Sequence, residues 1–508
     1  MFLCQLITYN NLKITDMNIN KYKWLMLCLG AVIISCTGDE KDPIGEEEPI
    51  VVVSGEADFS KFVSIGNSLT AGYTDGALFI ASQQNSFPKI LASQFALAGG
   101  GEFNQPLMND NLGGLLLGGN VIAANRLYFN GAAPVRVEGM PSTEITATLS
   151  GPFNNFGVPG AKSFHFIAPG YGNVAGVPVG QANPYYVRFA SGASATVLGD
   201  AAAQQATFFS LWAGNNDVLS YATSGGFGIN QAGNFDPSTY GGNDITDPNV
   251  FAQVLNGMVD ALTANGAKGV IANIPNVMTI PYFNTVPYNP VPLDAPTAGM
   301  LNQAYAPYNG GLAQAEGAGL ITSAERQART INFAAGQNAV VIEDEYLTNL
   351  SALGLPSLRQ TTSADLIVLP ASGVIGTLVN NNPQLINGLT VPLPDQAVLV
   401  PQEQQEVINA TASFNAIIEN VANQKGLAFV DVFSILNEVA DTGVQFDEFT
   451  LNASLVFGGA FSLDGVHPTA RGYAFIANKF MEAINNQYGS NLPSVKARNY
   501  ITLYPASM

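Results

Sequence analysis

The chain has 508 residues, 47% of them hydrophobic and 11% charged, with 19 Lys and Arg against 38 Asp and Glu for a net charge of -19. That length and apolar content support one large domain or two of medium size. The acidity and the lack of any basic stripe exclude a nucleic-acid partner, which needs clustered Lys and Arg.

At the N-terminus, Lys21 and Lys23 precede an apolar run from Trp24 to Ser35 that ends at Cys36. The run is too short to cross a bilayer as a helix, which takes about 20 residues, and it reads as a secretory signal. Ile33-Ile34-Ser35-Cys36 resembles a bacterial lipobox, which makes residues 1–36 a signal and lipidation region with Met17 a plausible true start. The three cysteines are Cys4, Cys28 and Cys36. Processing at Cys36 leaves no second thiol, so no disulfide, thiol nucleophile or cysteine-ligated metal is expected. Residues 37–58 begin as an acidic tether containing Pro and Gly, with little to bury. The tether resembles the acidic segment that follows the lipidated cysteine in surface-exported lipoproteins of the Bacteroidetes group.

Phe62-Val63-Ser64-Ile65 is an unbroken apolar run leading into Gly66-Asn67-Ser68, the pattern of a buried parallel strand entering a functional turn. Residues 77–97 have helical spacing, with Pro88 near a helix start or break. Residues 101–150 are rich in Gly and Asn and read as an elaborated loop region with hairpins. A second strand is expected just before Asn154–Ala161, and a third over 206–212, ending in Gly214-Asn215-Asn216-Asp217. A helix over 249–265 and a fourth strand over 269–275 follow. Residues 288–400 then interrupt the alternation. They hold a Pro-rich start, a helical part near 300–330 and the run Leu366–Pro370, and they are too long for a simple connection. They are read as an insertion covering one side of the sheet, either a lid or a structural cap. A helix over 403–423, a fifth strand over 427–432, a last helix from Thr469 to Asn486 and a C-terminal extension over 491–508 complete the chain. Strands alternating with helices predict a doubly wound α/β sheet. Ligands bind such sheets beyond the carboxyl ends of the strands, where Ser68, Gly160 and Asn216 all fall.

A serine that performs acyl transfer needs a base, a group that orients the base, and donors aimed at the oxyanion. The chain has two histidines, and only His467, in Ser462-Leu463-Asp464-Gly465-Val466-His467-Pro468, has an acid at short spacing. Ser68 is therefore the candidate nucleophile, His467 the base and Asp464 its orienter. Backbone N–H groups near Ser68 and Gly160, with the amide of Asn216, are the candidate oxyanion hole. His165 is read as structural or cleft-lining, and Trp212 as core or as the wall of an acyl or sugar subsite. Taken singly, Ser68 could cap a helix, Asp464 a turn or the last helix, and Gly160 a tight turn, while Asn216 could hold a loop.

These blocks resemble the SGNH hydrolase superfamily of GDSL-type lipases and esterases over roughly 59–290 and 403–490. Gly66-Asn67-Ser68-Leu69-Thr70-Ala71-Gly72-Tyr73 is similar to its first block, Gly160 to its second, Gly214-Asn215-Asn216-Asp217 to its third and Asp464 to His467 to its last. The resemblance implies a three-layer α/β/α sandwich with a parallel, flavodoxin-like sheet over 59–490. It also implies a Ser68–His467–Asp464 triad with Gly160 and Asn216 as oxyanion donors. Two residues depart from the pattern, Asn67 where an aspartate is usual and Asn215 where glycine is commoner. Ser68 is not in a Gly-x-Ser-x-Gly elbow, which disfavours the α/β-hydrolase fold. The expected activity is hydrolysis of a small-molecule, lipid or acylated-glycan ester, by a monomer without metal or organic cofactor. Lipidated Cys36 would hold it at the bacterial outer membrane, facing the periplasm or the medium. The competing expectation is a surface lipoprotein that uses the same scaffold to bind glycan or lipid without turnover.

Overall fold

The computed structural model describes residues 51–508. The expected signal, the lipobox and residues 37–50 of the tether lie outside the described residues. From Val52 onward the chain forms one body. The last residues of the expected tether are part of it. Glu56 N–H donates to Tyr488 O at 2.8 Å, and Ala57 and Phe59 are buried.

Five short parallel strands make the central sheet: β1 (Phe62–Gly66), β2 (Asn155–Gly157), β3 (Phe208–Trp212), β4 (Lys268–Ala272) and β5 (Ala428–Val430). Their order across the sheet is β5-β4-β3-β1-β2, the doubly wound arrangement, whose switch point lies at β1. Ser64 is in register with Asn155 on one side and Ser210 on the other, and Ser210 with Val270. Apart from Lys268 and Phe429, which are half-buried, the strand residues are buried, as parallel strands covered on both faces must be.

The helices include α1 (Ser68–Ala71), α2 (Phe87–Phe95), α3 (Asn216–Thr223), α4 (Pro248–Thr263), α5 (Ala295–Gly317), α6 (Pro401–Lys425), α7 (Val432–Asp441) and α8 (Ala470–Tyr488). α2 packs against α8, and α6 packs against α3 and α4, so helices cover the sheet as an α/β sandwich. Local chemistry sets their starts. Ser86 caps α2 and Pro88 lies in its first turn; Asp247 caps α4, and Thr469 caps α8 through Gly472 N–H. Thr469, rather than Asp464, is thus the cap of the last helix.

At the N-terminal edge of the sheet, Phe59, Phe62, Phe95, Phe103 and Phe208 form an aromatic cluster, with Phe59 stacked on Phe95 at 4.1 Å. Truncating Phe208, which also touches Tyr488, removes ring contacts at a cost of about 3–5 kcal/mol. This end is closed and apolar, and the polar loops collect at the other.

Residues 101–150 hold short antiparallel pairs, among them 115–117 with 120–123 and 127–129 with 134–136. Between β4 and β5, residues 288–400 contain α5, a second helix over Ser323–Arg329 and several two-stranded ladders. This segment has its own buried residues, including Leu301, Tyr305, Tyr308 and Leu312. The C-terminal residues fold back on the body, with Arg126 donating to Pro505 O at 2.6 Å.

Candidate active site

β1 ends at Gly66, where a Cβ would lie 2.2 Å from Thr70 Oγ1 and 2.3 Å from Trp212 O. Only glycine permits that approach, and it lets the chain turn sharply into α1. Asn67 caps α1 by accepting from Leu69 N–H at 3.1 Å, which leaves Ser68 as the first helical residue with its hydroxyl free of capping duty. The short helix stops at Gly72, whose φ of 87° is the left-handed conformation of a helix end.

The second component is a tight turn. Phe461 pairs with Pro468, Ser462 N–H donates to His467 O at 2.7 Å, and Gly465 takes a positive φ. Asp464 is inside this turn and is saturated with donors. Its Oδ1 accepts from His467 N at 2.8 Å, Val466 N at 2.9 Å and Ser462 Oγ at 3.1 Å. Its Oδ2 accepts from Gly76 N at 2.8 Å and faces His467 Nδ1 at 2.9 Å. Burial alone would raise the pKa of this carboxyl, but His467 and the N–H donors outweigh it and hold it at about 2. An ionised carboxylate only accepts, so the His467 proton is on Nδ1 and Nε2 offers its lone pair. That Nε2 lies 2.9 Å from Ser68 Oγ. The Tyr73 ring packs on the imidazole with centroids 4.6 Å apart. The structure therefore brings Ser68, His467 and Asp464 together in one hydrogen-bonded line.

Asn216 begins α3 at the end of β3 and lines the same cavity as Ser68 and His467. Its Nδ2 donates to Ala161 O at 2.9 Å, which fixes the amide and leaves its second N–H uncommitted. Gly160, beside Ala161, has a φ of 81° and is not among the residues lining that cavity. Asp217 ties α3 to the loop after β2 by accepting from Ser163 N at 2.8 Å and Ser163 Oγ at 2.6 Å. Asn67 and Asn215 meet each other, as Asn67 Nδ2 donates to Asn215 Oδ1 at 2.9 Å. This bond joins the Ser68 turn directly to the Asn216 turn. It also leaves Asn215 Nδ2 buried without a protein partner.

His165 takes no part in this arrangement. Its Nδ1 accepts from Lys162 N at 3.0 Å, and its ring stacks on Tyr171 at 4.4 Å. Burial, with the Lys162 charge, pushes its pKa down to about 4, so it remains a neutral packing residue. Trp212 is a core residue that also reaches the cavity wall. It is 1% exposed and donates to Asn273 O at 3.0 Å, yet it borders the cavity.

The cavity runs from Ser68 between α3, α7 and α8. Its walls are aliphatic and aromatic: Leu219, Val277 and Ile280, then Val432, Ile435, Leu436 and Val439 from α7, then Phe461, Val466, Phe475 and Ile476. Helix α7 is absent from the sequence expectations, in which the apolar run of the fifth strand continues through Val432. Asp431 ends that strand and caps α7 by accepting from Ser434 N. The spacing of Val432, Ile435, Leu436 and Val439 is itself a helical signal. No residue of 288–400 lines the cavity.

No protein-family model matches the chain, and no curated protein matches it. Among solved structures, the chain is similar to a variant of an acetyl-xylooligosaccharide esterase and a catalytic variant of an acetylxylan esterase, both from Geobacillus stearothermophilus. Both are 10% identical, with TM-scores of 0.31 and 0.29, covering 85% and 84% of this chain and 96% and 95% of theirs. It is also similar to an extracellular lipase of Streptomyces rimosus, 11% identical with a TM-score of 0.26, covering 84% of this chain and 98% of that one.

Proposed function

We propose that the chain is a serine-dependent carboxylic ester hydrolase of the SGNH, GDSL type, acting on esters whose acyl chain enters the apolar cavity beside Ser68. The observation that carries this reading is the line Ser68 Oγ–His467 Nε2 at 2.9 Å and His467 Nδ1–Asp464 Oδ2 at 2.9 Å. His467 takes the Ser68 proton as the oxygen attacks the ester carbonyl. The tetrahedral oxyanion is met by the uncommitted N–H of Asn216 and by backbone N–H groups near Ser68 and Gly160. A donor of this kind contributes about 3–4 kcal/mol to the transition state. His467 then protonates the departing alcohol, and water releases the acyl group from Ser68 by the same steps in reverse roles. The ionised Asp464 holds the imidazole tautomer and favours the imidazolium that forms.

Aliphatic walls select an aliphatic acyl group. Each methylene buried contributes about 0.8 kcal/mol, so kcat/KM is expected to rise roughly fourfold per methylene until the cavity is filled. Attachment to the outer membrane through Cys36 belongs to the same proposal and would place this cavity near acyl lipids. The test is hydrolysis of p-nitrophenyl esters from acetyl to palmitoyl by wild type, Ser68→Ala and Leu436→Trp. Activity lost in Ser68→Ala, with a shorter optimum in Leu436→Trp, is the expected result. Folded wild type that hydrolyses no ester of the series and takes no label from a fluorophosphonate would overturn the reading in favour of a binding scaffold.

A further inference from the structure

Away from the cleft, three carboxylates from separate segments converge where residues 288–400 meet the sandwich. Glu345 follows the strand Val341–Glu343, Asp395 opens the turn Asp395–Ala397, and Glu403 is in the first turn of α6. One oxygen of each lies within 4.8 Å of the other two. Acidic residues gather on many surfaces without holding anything, and Glu403 is what sets this group apart. It is fully buried at 0% exposure. Its Oε2 accepts from Val400 N–H at 2.7 Å, while its Oε1, equally shut off from solvent, has no protein partner. A buried carboxylate oxygen without an N–H or O–H donor is strongly unfavourable unless a proton or a cation satisfies it. The backbone is shaped to this carboxylate as well. Gly226 has a φ of 83°, and a Cβ there would lie 2.1 Å from Glu403 Oε1. The nearest guanidinium in sequence, Arg359, is committed elsewhere, pairing with Asp344 and Asp365.

We infer that Glu345, Asp395 and Glu403 ligate a divalent cation and that Ca2+ is the ion they suit. The donors are all hard oxygens with no nitrogen or sulfur among them, which points to Ca2+ or Mg2+ rather than Zn2+ or Cu2+. Ca2+ binds oxygens at about 2.3–2.6 Å in irregular shells of six to eight, so oxygens on one ion are separated by up to roughly 5 Å. The exposed Glu345 side leaves room for water to complete such a shell. The ion would join three elements, namely the loop after Val341–Glu343, the Asp395–Ala397 turn and the start of α6, against which the Gly225–Gly226 turn that follows α3 is packed. Since α3 begins with Asn216, the site braces the far end of the helix that supplies the candidate oxyanion amide.

The test uses the full chain stripped with EDTA and titrated with CaCl2 by calorimetry, with the thermal midpoint followed in parallel. One saturable site is expected, with a rise in midpoint of about 3 °C at a hundredfold excess over Kd. Glu403→Gln is expected to abolish binding. Because that variant changes a buried group and could fail to fold, Glu345→Gln, at an exposed position, is measured beside it and is expected to bind at least tenfold more weakly. Ser68→Ala is expected to bind Ca2+ like wild type, which separates this inference from the ester-hydrolase reading. A midpoint unmoved by millimolar Ca2+ with no heat of binding would overturn it. So would binding that both glutamate variants leave unchanged, since the ion would then lie elsewhere.

Discussion

Two turns face each other beside Ser68, Thr74–Gly76 and Ser462–His467, and each carries an aspartate, Asp75 buried and Asp464 half-buried. Asp464 accepts from four donors besides the imidazole and is held at about 2. Asp75 is 1% exposed and sits at a φ of 53°. It accepts from Leu463 N–H at 3.0 Å through Oδ1, and its Oδ2 has no partner. Burial pushes its pKa up to about 7; the Leu463 N–H works against this, the Asp464 charge adds to it, and Arg126 pulls it back. The turns are bolted together, as Asp75 N–H donates to Ser462 Oγ, which donates to Asp464 Oδ1. The half-buried aspartate is thus an anion and the fully buried one a carboxyl poised near neutrality. The imidazole beside Asp464, and after it the N–H donors of the turn, hold Asp464 as the anion, while Asp75 has one N–H donor against its burial.

Removing the anion should have the largest effect. Asp464→Asn preserves the shape of the turn but lets Nδ1 of His467 become the unprotonated nitrogen, so Nε2 no longer receives the Ser68 proton. A fall in kcat of about 10⁴ with little change in KM is expected, read on the ester that wild type prefers, with circular dichroism confirming the fold. A loss of less than tenfold would mean that the carboxylate does not orient the base. Ser462→Ala is the next sharpest cut. It takes one donor from Asp464 and the acceptor from Asp75 N–H, so a loss of about tenfold in kcat/KM is expected. The same variant should raise the midpoint of acid unfolding. Asp464 contributes stability above its unfolded value and loses it as pH falls through about 2, and one donor fewer moves that loss to higher pH.

Asn67→Asp is expected to act more weakly, and in a different way. The Asn67–Asn215 bond holds the nucleophile turn to the Asn216 turn without adding charge. A carboxylate at position 67 would accept from Leu69 N–H and, after rotation of the Asn215 amide, from its unpaired Nδ2. The added negative charge near Ser68 opposes the developing oxyanion and favours the imidazolium. A fall in kcat of threefold to tenfold is expected, with the acidic limb of the kcat/KM profile moved to higher pH. A profile that keeps its shape would show that the pair only packs.

The parts of this site that could be read from the sequence are those that announce themselves locally. The strand runs at 62–66, 208–212, 268–272 and 428–430 stand out because strands covered on both faces have few positions for polar residues. Ser68, Asp464 and His467 stand out because histidine is scarce and Asp464 precedes His467 by one turn. What escaped were relations between distant residues. Asn67 and Asn215 look like two separate departures until 148 residues of chain are folded between them. Nothing in Tyr73-Thr74-Asp75-Gly76 indicates that Asp75 meets Ser462, and Glu403 reads as one more polar residue in the first turn of a helix until Gly226 and Asp395 close around it. Helix α7 was local and legible, but an apolar run continuing from a strand hides the point where its period changes from two to 3.6.

The smallest predicted effect tests the other half of the comparison. Asp75 has a folded pKa of about 7 against roughly 3.9 in the unfolded chain, so the folded state binds its proton more tightly. Stability from this group is full below the unfolded value and is lost as pH rises through about 7. The amide introduced by Asp75→Asn would copy the protonated carboxyl at every pH. The thermal midpoint of the variant should therefore match wild type below pH ~4, draw ahead as pH rises from ~4 to ~7, where only the unfolded chain has lost the proton, and stay a few degrees higher beyond that. Activity near pH ~6, where both side chains are neutral, should differ by no more than about twofold, because the backbone N–H groups that serve Asp464 and Ser462 are untouched. A midpoint difference that stays flat with pH would mean that Asp75 is already ionised in the fold. The contrast between the two aspartates would then lie in their geometry and not in their charge.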